Sequence, residues 1–487
     1  VYNGLLKKER RAIHEQIGLV IEQLFQDRLP EFYETLAFHF KNGLTVSKAI
    51  NYLMKSGEKC LKKYAVQESH QHYKEAYFLI EDKKYKTEEE REILFDLLNK
   101  WSLVYYYSGD FYELTDLLRK HEGEAEKIKD KEKQGMFYGW LGFILHFMME
   151  LTDAYRYLQK SLKIGEETNN QRVIGYACTW LTYICAVQDK YAEGYAYWER
   201  AVKIAETIEN DHYLYFKSKG GLPHLNSFKG EKKQSDEIGK MLIQYGERHS
   251  NIRSQVVGNI CIGYFHFADG NITKAISYFQ RAVDIAEDPF YTQWPKLFVG
   301  MCYILNDQIR KGEDPLNEVD SYIKKAGCEL FSASIKSLLG IIKINNGEMS
   351  QGLKMIEEVY NLNKEKNWGW GTTLSEYVLG KLYFKIAYGE KPNNVAMVIK
   401  NVGFLTKNVP FASQTAEAYF KKAIENGKRV DAKYFLGQSY LELGQLYRIK
   451  KKGDQARDCF TEAVNLFEQI EAETNLKKAR DALTDLR

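Results

Sequence analysis

The chain has 487 residues, of which 69 are basic and 66 acidic, so its formal net charge at pH 7 is only +3. This near balance gives no global reason to expect a nucleic acid as partner. Apolar runs stay shorter than the roughly 18 residues that a membrane span needs, so no membrane partner is expected. The seven cysteines are scattered without a CxxC pair, a pattern that favours a reducing compartment and therefore the cytoplasm.

Proline is scarce, with 7 residues, and this scarcity predicts helices throughout the chain. The length permits two to four compact domains or one long solenoid. Because the first residue is Val1 and not methionine, we expect the chain to be a fragment of something longer.

The segment 1–85 is predicted to be helical but irregular. Residues 5–25 carry apolar positions at helical spacing, and the stretch from Asp27 to Pro30 should stop that helix. Residues 36–56 and 69–76 repeat small and large positions at the offsets that recur later in the chain. We therefore interpret residues 1–85 as a helical linker region with irregular first repeats.

A repeat period of about 40 residues is predicted for the segment 86–384. Each predicted first helix has a glycine, serine, threonine or proline at the same position of the repeat. These residues are Ser102, Gly142, Thr182, Pro223, Gly263, Gly300, Gly340 and Gly380. The second helices repeat a small–large–small stripe, as in Ala275, Phe279 and Ala282. Turns with glycine separate the two helices, at Gly109-Asp110, Gly230-Glu231, Gly270-Asn271 and Gly347-Glu348.

Two places interrupt this period. Gly220-Gly221-Leu222-Pro223 should kink or shorten a first helix, and it is either a flexible joint or, as we favour, a drifted repeat. Residues 385–411 are extra, apolar and bounded by Pro392 and Pro410, which predicts a helical insert. This insert either packs on the array, the reading we favour, or covers a groove.

The clearest unit lies at residues 438–469, within a last segment that spans 412–487 and ends in a capping helix. Leu443, Gly444 and Tyr447 share one helix face, and Phe460 lies on the facing helix between Ala456 and Ala463. Asp454 is predicted to cap that second helix. The two stripes at this offset resemble a tetratricopeptide repeat. The expected fold class is therefore all-α, a tetratricopeptide-type α-solenoid in which antiparallel helix pairs form a right-handed superhelix.

Motifs for catalysis and metal binding are absent from the sequence. It contains no GxxxxGK[ST], GxGxxG, HExxH or GxSxG, and the ten histidines are dispersed. His70 and His72 are two positions apart on a predicted helix and therefore point to different faces. We predict no catalytic residue, no metal site and no cofactor, and an enzyme is the least favoured reading.

The concave wall of such an array is the expected binding surface, because the first helix of each pair lines it. Aromatic side chains there can anchor an apolar peptide or helix. The alternative is that a tightly wound array buries them against neighbouring repeats. The candidate residues are Phe143, His146, Phe147, Tyr176, Tyr183, Tyr264, Phe267, Tyr377 and Phe384.

Both ends of the chain also resemble a known family. Residues 5–80 are similar to the junction that follows the ATPase module in large bacterial signalling proteins, where an adenylate/guanylate cyclase domain precedes a STAND-type AAA ATPase and a tetratricopeptide tail. Residues 410–483 resemble the end of that tail. The resemblance implies a regulatory and sensing arm whose ATPase and cyclase chemistry lies upstream, so the family's catalytic residues have no positions here.

The function expected from this reading is a non-catalytic scaffold for protein interaction and regulation. Its partner would be another protein or its own ATPase and cyclase domains. The alternative is a small-molecule sensor with a pocket in the concave groove, near residues 220–223 or the 385–411 insert.

Overall fold

The computed structural model describes residues 6–81, 86–232, 234–389 and 399–486. Every regular element in these ranges is a helix, and none is a strand, which confirms the all-α prediction. Consecutive helices are joined by short turns and pack as antiparallel pairs in a repeated arrangement, as a tetratricopeptide-type solenoid requires. Within these ranges, each helix is too short or too polar to cross a lipid bilayer.

The helices of the first half are α1 Lys7–Leu24, α2 Tyr33–Lys41, α3 Val46–Lys62, α4 Val66–Glu81, α5 Glu88–Ser108, α6 Phe111–Ala125, α7 Lys131–Phe147, α8 Leu151–Glu167, α9 Gln171–Val187, α10 Tyr191–Ala205, α11 His212–Lys219 and α12 Gly221–Lys229. Those of the second half are α13 Ser235–Arg248, α14 Ile252–Ala268, α15 Ile272–Ile285, α16 Pro289–Leu305, α17 Ile309–Ala326, α18 Glu329–Asn345, α19 Met349–Glu365, α20 Gly369–Tyr388, α21 Val402–Arg429, α22 Lys433–Ile449, α23 Gly453–Gln469 and α24 Glu473–Thr484. A short 3-10 helix, Gln26–Glu31, follows α1.

Two compact units share these helices. Unit 1 comprises Val1–Ile144, Arg156–Val173 and Glu287–Phe290. Its core is aromatic: the ring of Tyr106 lies 5.5 Å from that of Phe143 and 5.1 Å from that of Phe290. Thr87 begins α5 with a capping box, in which its hydroxyl accepts from the Glu90 N–H and the Glu90 carboxylate accepts from the Thr87 N–H.

Unit 2 comprises Leu145–Tyr155, Ile174–Ala286 and Tyr291–Arg487. Its helix pairs show why glycine occupies the marked position of the first helix. A Cβ built on Gly263 would overlap the ring of Phe279, and one on Gly444 would lie 2.5 Å from the ring of Phe460. Both phenylalanines are completely buried. The repeat register predicted from the sequence is therefore confirmed at these positions.

The predicted glycine turns are confirmed by backbone geometry. Gly109, Gly230, Gly270 and Gly347 all have φ between 77° and 83°, a left-handed conformation that costs glycine little.

The prediction that Asp454 caps helix α23 is wrong. Helix α23 begins at Gly453 after Lys452, two residues earlier than a cap at Asp454 would place it, so Asp454 lies inside the first turn and does not cap it. Its charge still suits the positive end of the helix dipole.

The two predicted interruptions have different outcomes. The first helix is shortened as predicted, because α11 ends at Lys219 and α12 begins at Gly221. The 385–411 insert lies partly outside the described residues, since 390–398 are not among them. The boundary predicted at 411–412 falls inside α21, which continues through Pro410.

The described part of the insert is only partly packed. Asn401 is buried and its side chain donates to the Gly347 carbonyl at 2.9 Å. Val402 and Phe411 are 56% and 64% exposed.

Candidate functional site

Seven of the nine predicted surface residues are buried in this structure. They are Phe143, His146, Phe147, Tyr176, Tyr183, Tyr264 and Tyr377, each at most 5% exposed. Only Phe267 and Phe384 keep part of the side chain accessible. Phe143 belongs to unit 1 and the other eight residues belong to unit 2.

Three of the buried members, Tyr176, Tyr183 and Tyr264, contact the next repeat. The Tyr176 hydroxyl donates to the Asp211 carboxylate at 3.0 Å, and the Tyr183 hydroxyl donates to the Lys217 carbonyl at 3.0 Å. The Tyr264 ring meets Phe298 edge to face at 5.1 Å. A binding surface made of all nine residues thus remains a prediction, and in this structure seven of them are packing residues.

Unit 2 contains a second kind of candidate site, formed by residues far apart in sequence. Turn and helix-end residues of the segment 189–232 contact the segment 369–434; we name this set of contacts the closure contact. Phe228 packs on Trp370 with 4.8 Å between ring centroids. A Cβ added to Gly230 would overlap the backbone of Tyr434, so only glycine allows this close approach.

Four charged side chains lie at one end of the closure contact. Lys433 Nζ lies 2.8 Å from Glu231 Oε1, across 202 positions of sequence. Lys229 Nζ lies 2.9 Å from the same oxygen and 3.2 Å from Asp431 Oδ2. Burial alone would raise the pKa of Glu231, but Lys433 and Lys229 outweigh it and lower that pKa below its usual range. The Glu231 carboxylate is therefore stabilised by both lysines.

Asp189 lies at the other end, where α20 begins. Its carboxylate accepts hydrogen bonds from the backbone N–H groups of Trp370 and Gly369, which have no capping side chain on their own segment. Burial raises the pKa of Asp189 to about 6, although the nearby Arg429 guanidinium and these N–H groups oppose the shift. The carboxyl group thus titrates near neutral pH at a contact between distant repeats.

The sequence analysis did not predict that Asp189 and Glu231 contact distant repeats. Asp189 and Glu231 lie in turns, where acidic residues are common and unremarkable. No local motif marks either residue as part of a contact between distant repeats.

Other chemistry finds no support in the described parts of the chain. They contain no group of three or more histidine, cysteine, aspartate or glutamate side chains that could hold a metal ion. The seven cysteines, all within the described ranges, form no disulfide with one another. A surface cavity of about 370 Å³ lies between α22 and α24, where Glu442, Arg448 and Lys478 line it. It coincides with neither of the two places predicted for a small-molecule pocket.

Comparison with known proteins identifies the repeat type. The tetratricopeptide repeat family matches residues 262–289 and 437–470. A search of curated proteins finds no match to this chain.

Solved structures with similar folds were also found. The crystal structure of a Rap protein complexed with Competence and Sporulation Factor has 10% sequence identity and a TM-score of 0.51, covering 78% of this chain and 98% of that one. The Rap conjugation gene regulator of plasmid pLS20 in complex with the Phr* peptide has 12% identity and a TM-score of 0.48, with 76% and 96% covered. NprR in complex with its cognate peptide NprX has 10% identity and a TM-score of 0.48, with 73% and 99% covered. At 10% sequence identity, the similarity to the first Rap structure shows that the two proteins share a fold and nothing more.

Proposed function

We propose that this chain is a non-catalytic tetratricopeptide scaffold that binds a protein or peptide partner, and that binding changes the closure contact of unit 2. The closure contact is the observation that carries the proposal. It is made by turns and helix ends, so it can break while each helix pair keeps its own buried stripe. We propose that this contact has a closed and an open state, and that a partner preferring one of them shifts the balance.

The similar Rap structure supports the binding part of the proposal. That protein is complexed with Competence and Sporulation Factor, and it shares the fold over most of both chains. For this chain we propose a partner recognised in the same general manner, as a segment held by a helical-repeat surface. We include the partly accessible Phe267 in the proposed surface; its ring lies 5.5 Å from that of Tyr434, beside the closure contact.

We further propose that the regulated activity belongs to a larger bacterial nucleotide-cyclase and ATPase signalling protein. The resemblance of residues 5–80 and 410–483 to that family supports this context. Within such a signalling protein, the partner of the scaffold is either a separate protein or the ATPase and cyclase domains of the same polypeptide.

Charge reversal at the closure contact tests the mechanism. Glu231→Lys places a third positive charge beside Lys229 and Lys433, so we expect the contact to open. Amide hydrogen exchange of residues 226–232 and 431–436 should rise by about tenfold or more. The double variant Glu231→Lys/Lys433→Glu restores one opposite-charge pair and should recover part of the protection.

Glu358→Lys is the matched control. Glu358 pairs with Lys336 at 2.6 Å within one helix pair, away from the closure contact, and both side chains are 44% exposed. We expect it to leave the exchange of those two segments unchanged. Equal effects of Glu231→Lys and Glu358→Lys would contradict a specific role of the closure contact.

The functional readout uses the polypeptide with its upstream domains. Glu231→Lys should alter the regulated cyclase or ATPase output, and the double variant should return it toward the starting value. If hydrogen exchange responds and the output does not, the closure contact is structural and the proposed function is wrong.

A further inference from the structure

A cluster of buried basic and aromatic side chains occupies the inside of unit 2. Lys217 and His146 are each 2% exposed, and the half-buried His224 on α12 lies near enough to interact electrostatically with both. The rings of Tyr183 on α9 and Trp294 on α16 lie beside Lys217.

Lys217 is held by aromatic faces. Its Nζ lies 3.9 Å from the centroid of the Tyr183 ring and 5.3 Å from that of Trp294. These cation–π contacts stabilise the ammonium in part. Burial nevertheless lowers the pKa of Lys217 to about 7, with the Cys261 thiol acting weakly in the opposite direction. Near neutral pH the ammonium therefore carries a desolvation cost that its surroundings offset only in part.

His224 supplies an independent sign of a ligand. Both of its ring nitrogens are shielded from solvent and have no hydrogen-bond partner. Its ring lies 4.7 Å from Tyr183, 5.0 Å from Phe228 and 6.5 Å from Trp294. Burial first, and then the positive charge of Lys217, lowers the pKa of His224 well below its usual value. A neutral, buried imidazole with neither nitrogen satisfied is costly, and an incoming polar group would relieve that cost.

We propose that this cluster binds a carboxylate, with Lys217 and His224 as hydrogen-bond donors and the rings of Tyr183, Phe228 and Trp294 contacting its organic body. The charge of the cluster favours a monoanion, because Lys217 supplies at most one positive charge and both histidines are neutral. Burial lowers the pKa of His146 to about 3, so His146 adds no charge near neutral pH. This inference does not rest on the proposed function, since the carboxylate can belong to a small acid or to the end of a peptide.

Binding should be coupled to proton uptake. A bound carboxylate favours the ammonium form and raises the pKa of Lys217 above its value of about 7 in the free protein. Below pH 7 the lysine is already charged and affinity is highest. Above pH 7 binding must take up a proton, so affinity should fall by up to about tenfold per pH unit. The flanking Tyr183 and Cys261 have pKa values raised by burial and remain neutral in this range.

The substitution Lys217→Met tests whether Lys217 serves to bind a ligand or to stabilise the fold. Methionine has a similar length and no charge, so this variant without ligand should melt at a temperature at least about 1 °C above the wild type at pH 7. A lysine that only stabilised the fold would give a lower melting temperature instead. The control is Lys364→Met, which removes an exposed lysine 5.5 Å from the Tyr360 ring and should change neither melting nor binding.

The probes are phenylacetate with its neutral analogue phenylacetamide, and the dipeptide Ala-Phe with its C-terminal amide. We expect one acid or both to raise the melting temperature of the wild type and of Lys364→Met by about 1–3 °C. The uncharged analogues should have no effect, and Lys217→Met should not respond. A response to phenylacetate alone identifies small acids, and a response to Ala-Phe alone identifies a peptide terminus. Absence of any response in the wild type, equal response to acid and amide, or an undiminished response of Lys217→Met would overturn the proposal.

Discussion

Gly263→Leu is expected to destabilise the chain by about 1–3 kcal/mol, which is typical of overpacking a core. The Cβ alone would overlap the ring of Phe279, which is completely buried and cannot swing into solvent. That ring is in turn stacked on Phe298, with 5.1 Å between centroids. The helices α14 and α15 must therefore separate to accept the new side chain. Denaturant unfolding of the purified chain, monitored by circular dichroism, measures the change.

Gly123→Leu is the matched control for this substitution. Gly123 lies within helix α6, and a Cβ added there would meet nothing within 4 Å. Because leucine is a better helix former than glycine, we expect a gain of about 0.5–1 kcal/mol. Equal loss of stability in both variants would mean that the helix-pair register described above is incorrect.

Asp189→Asn is expected to stabilise the chain at pH 7, by up to about 3 kcal/mol for a pKa raised by roughly two units. The amide has no charge to desolvate, and its oxygen can still accept from the N–H groups at the start of α20. This upper value already includes the attraction to Arg429, because the pKa of about 6 is the net result of burial and of that attraction. The expected result is higher resistance to denaturant at pH 7.

The raised pKa of Asp189 should also make the stability of the wild type depend on pH. The pKa of Asp189 is raised from 3.8 to about 6, so the folded chain binds this proton more tightly than the unfolded chain does. The stability contributed by that proton is complete below about pH 4 and is lost as the pH rises through 6. Subtracting the stability curve of Asp189→Asn from that of the wild type isolates this contribution. A flat difference between pH 4 and 7 would refute the raised pKa.

Glu417 provides a control of opposite sign. Hydrogen bonds and ion pairs with Lys421 and Lys450, together with the Tyr447 hydroxyl, overcome the effect of burial and lower its pKa to about 2. Its stabilising contribution is present above about pH 4.5 and is lost as the pH falls toward 2. Glu417→Gln should therefore be less stable than the wild type at pH 7, in contrast to Asp189→Asn.

Local patterns were sufficient to predict the helix pairs of this protein. Gly263 and Phe279 lie on the two helices of one hairpin, as do Gly444 and Phe460, so a single turn of the chain brings each pair together. The turn glycines and the break at Gly220 were predictable for the same reason, because each depends on its own backbone and immediate neighbours. The start of α23 was missed by two positions, since the ends of helices depend on small differences between competing caps.

The sequence by itself thus determined the all-α class and the helix-pair contacts of Gly263 with Phe279 and of Gly444 with Phe460, because side chains at helical spacing meet within one hairpin. Only the tertiary structure decided which aromatic residues are buried and which distant segments touch. Asp189 reaches the start of α20, and Glu231 reaches Lys433, through the accumulated rotation of several repeats, and small rotations per repeat are not encoded in any single motif. The same accumulation brings Lys217 and His224 among the rings of Tyr183 and Trp294, so a buried basic site arises from residues that look unrelated in the linear chain.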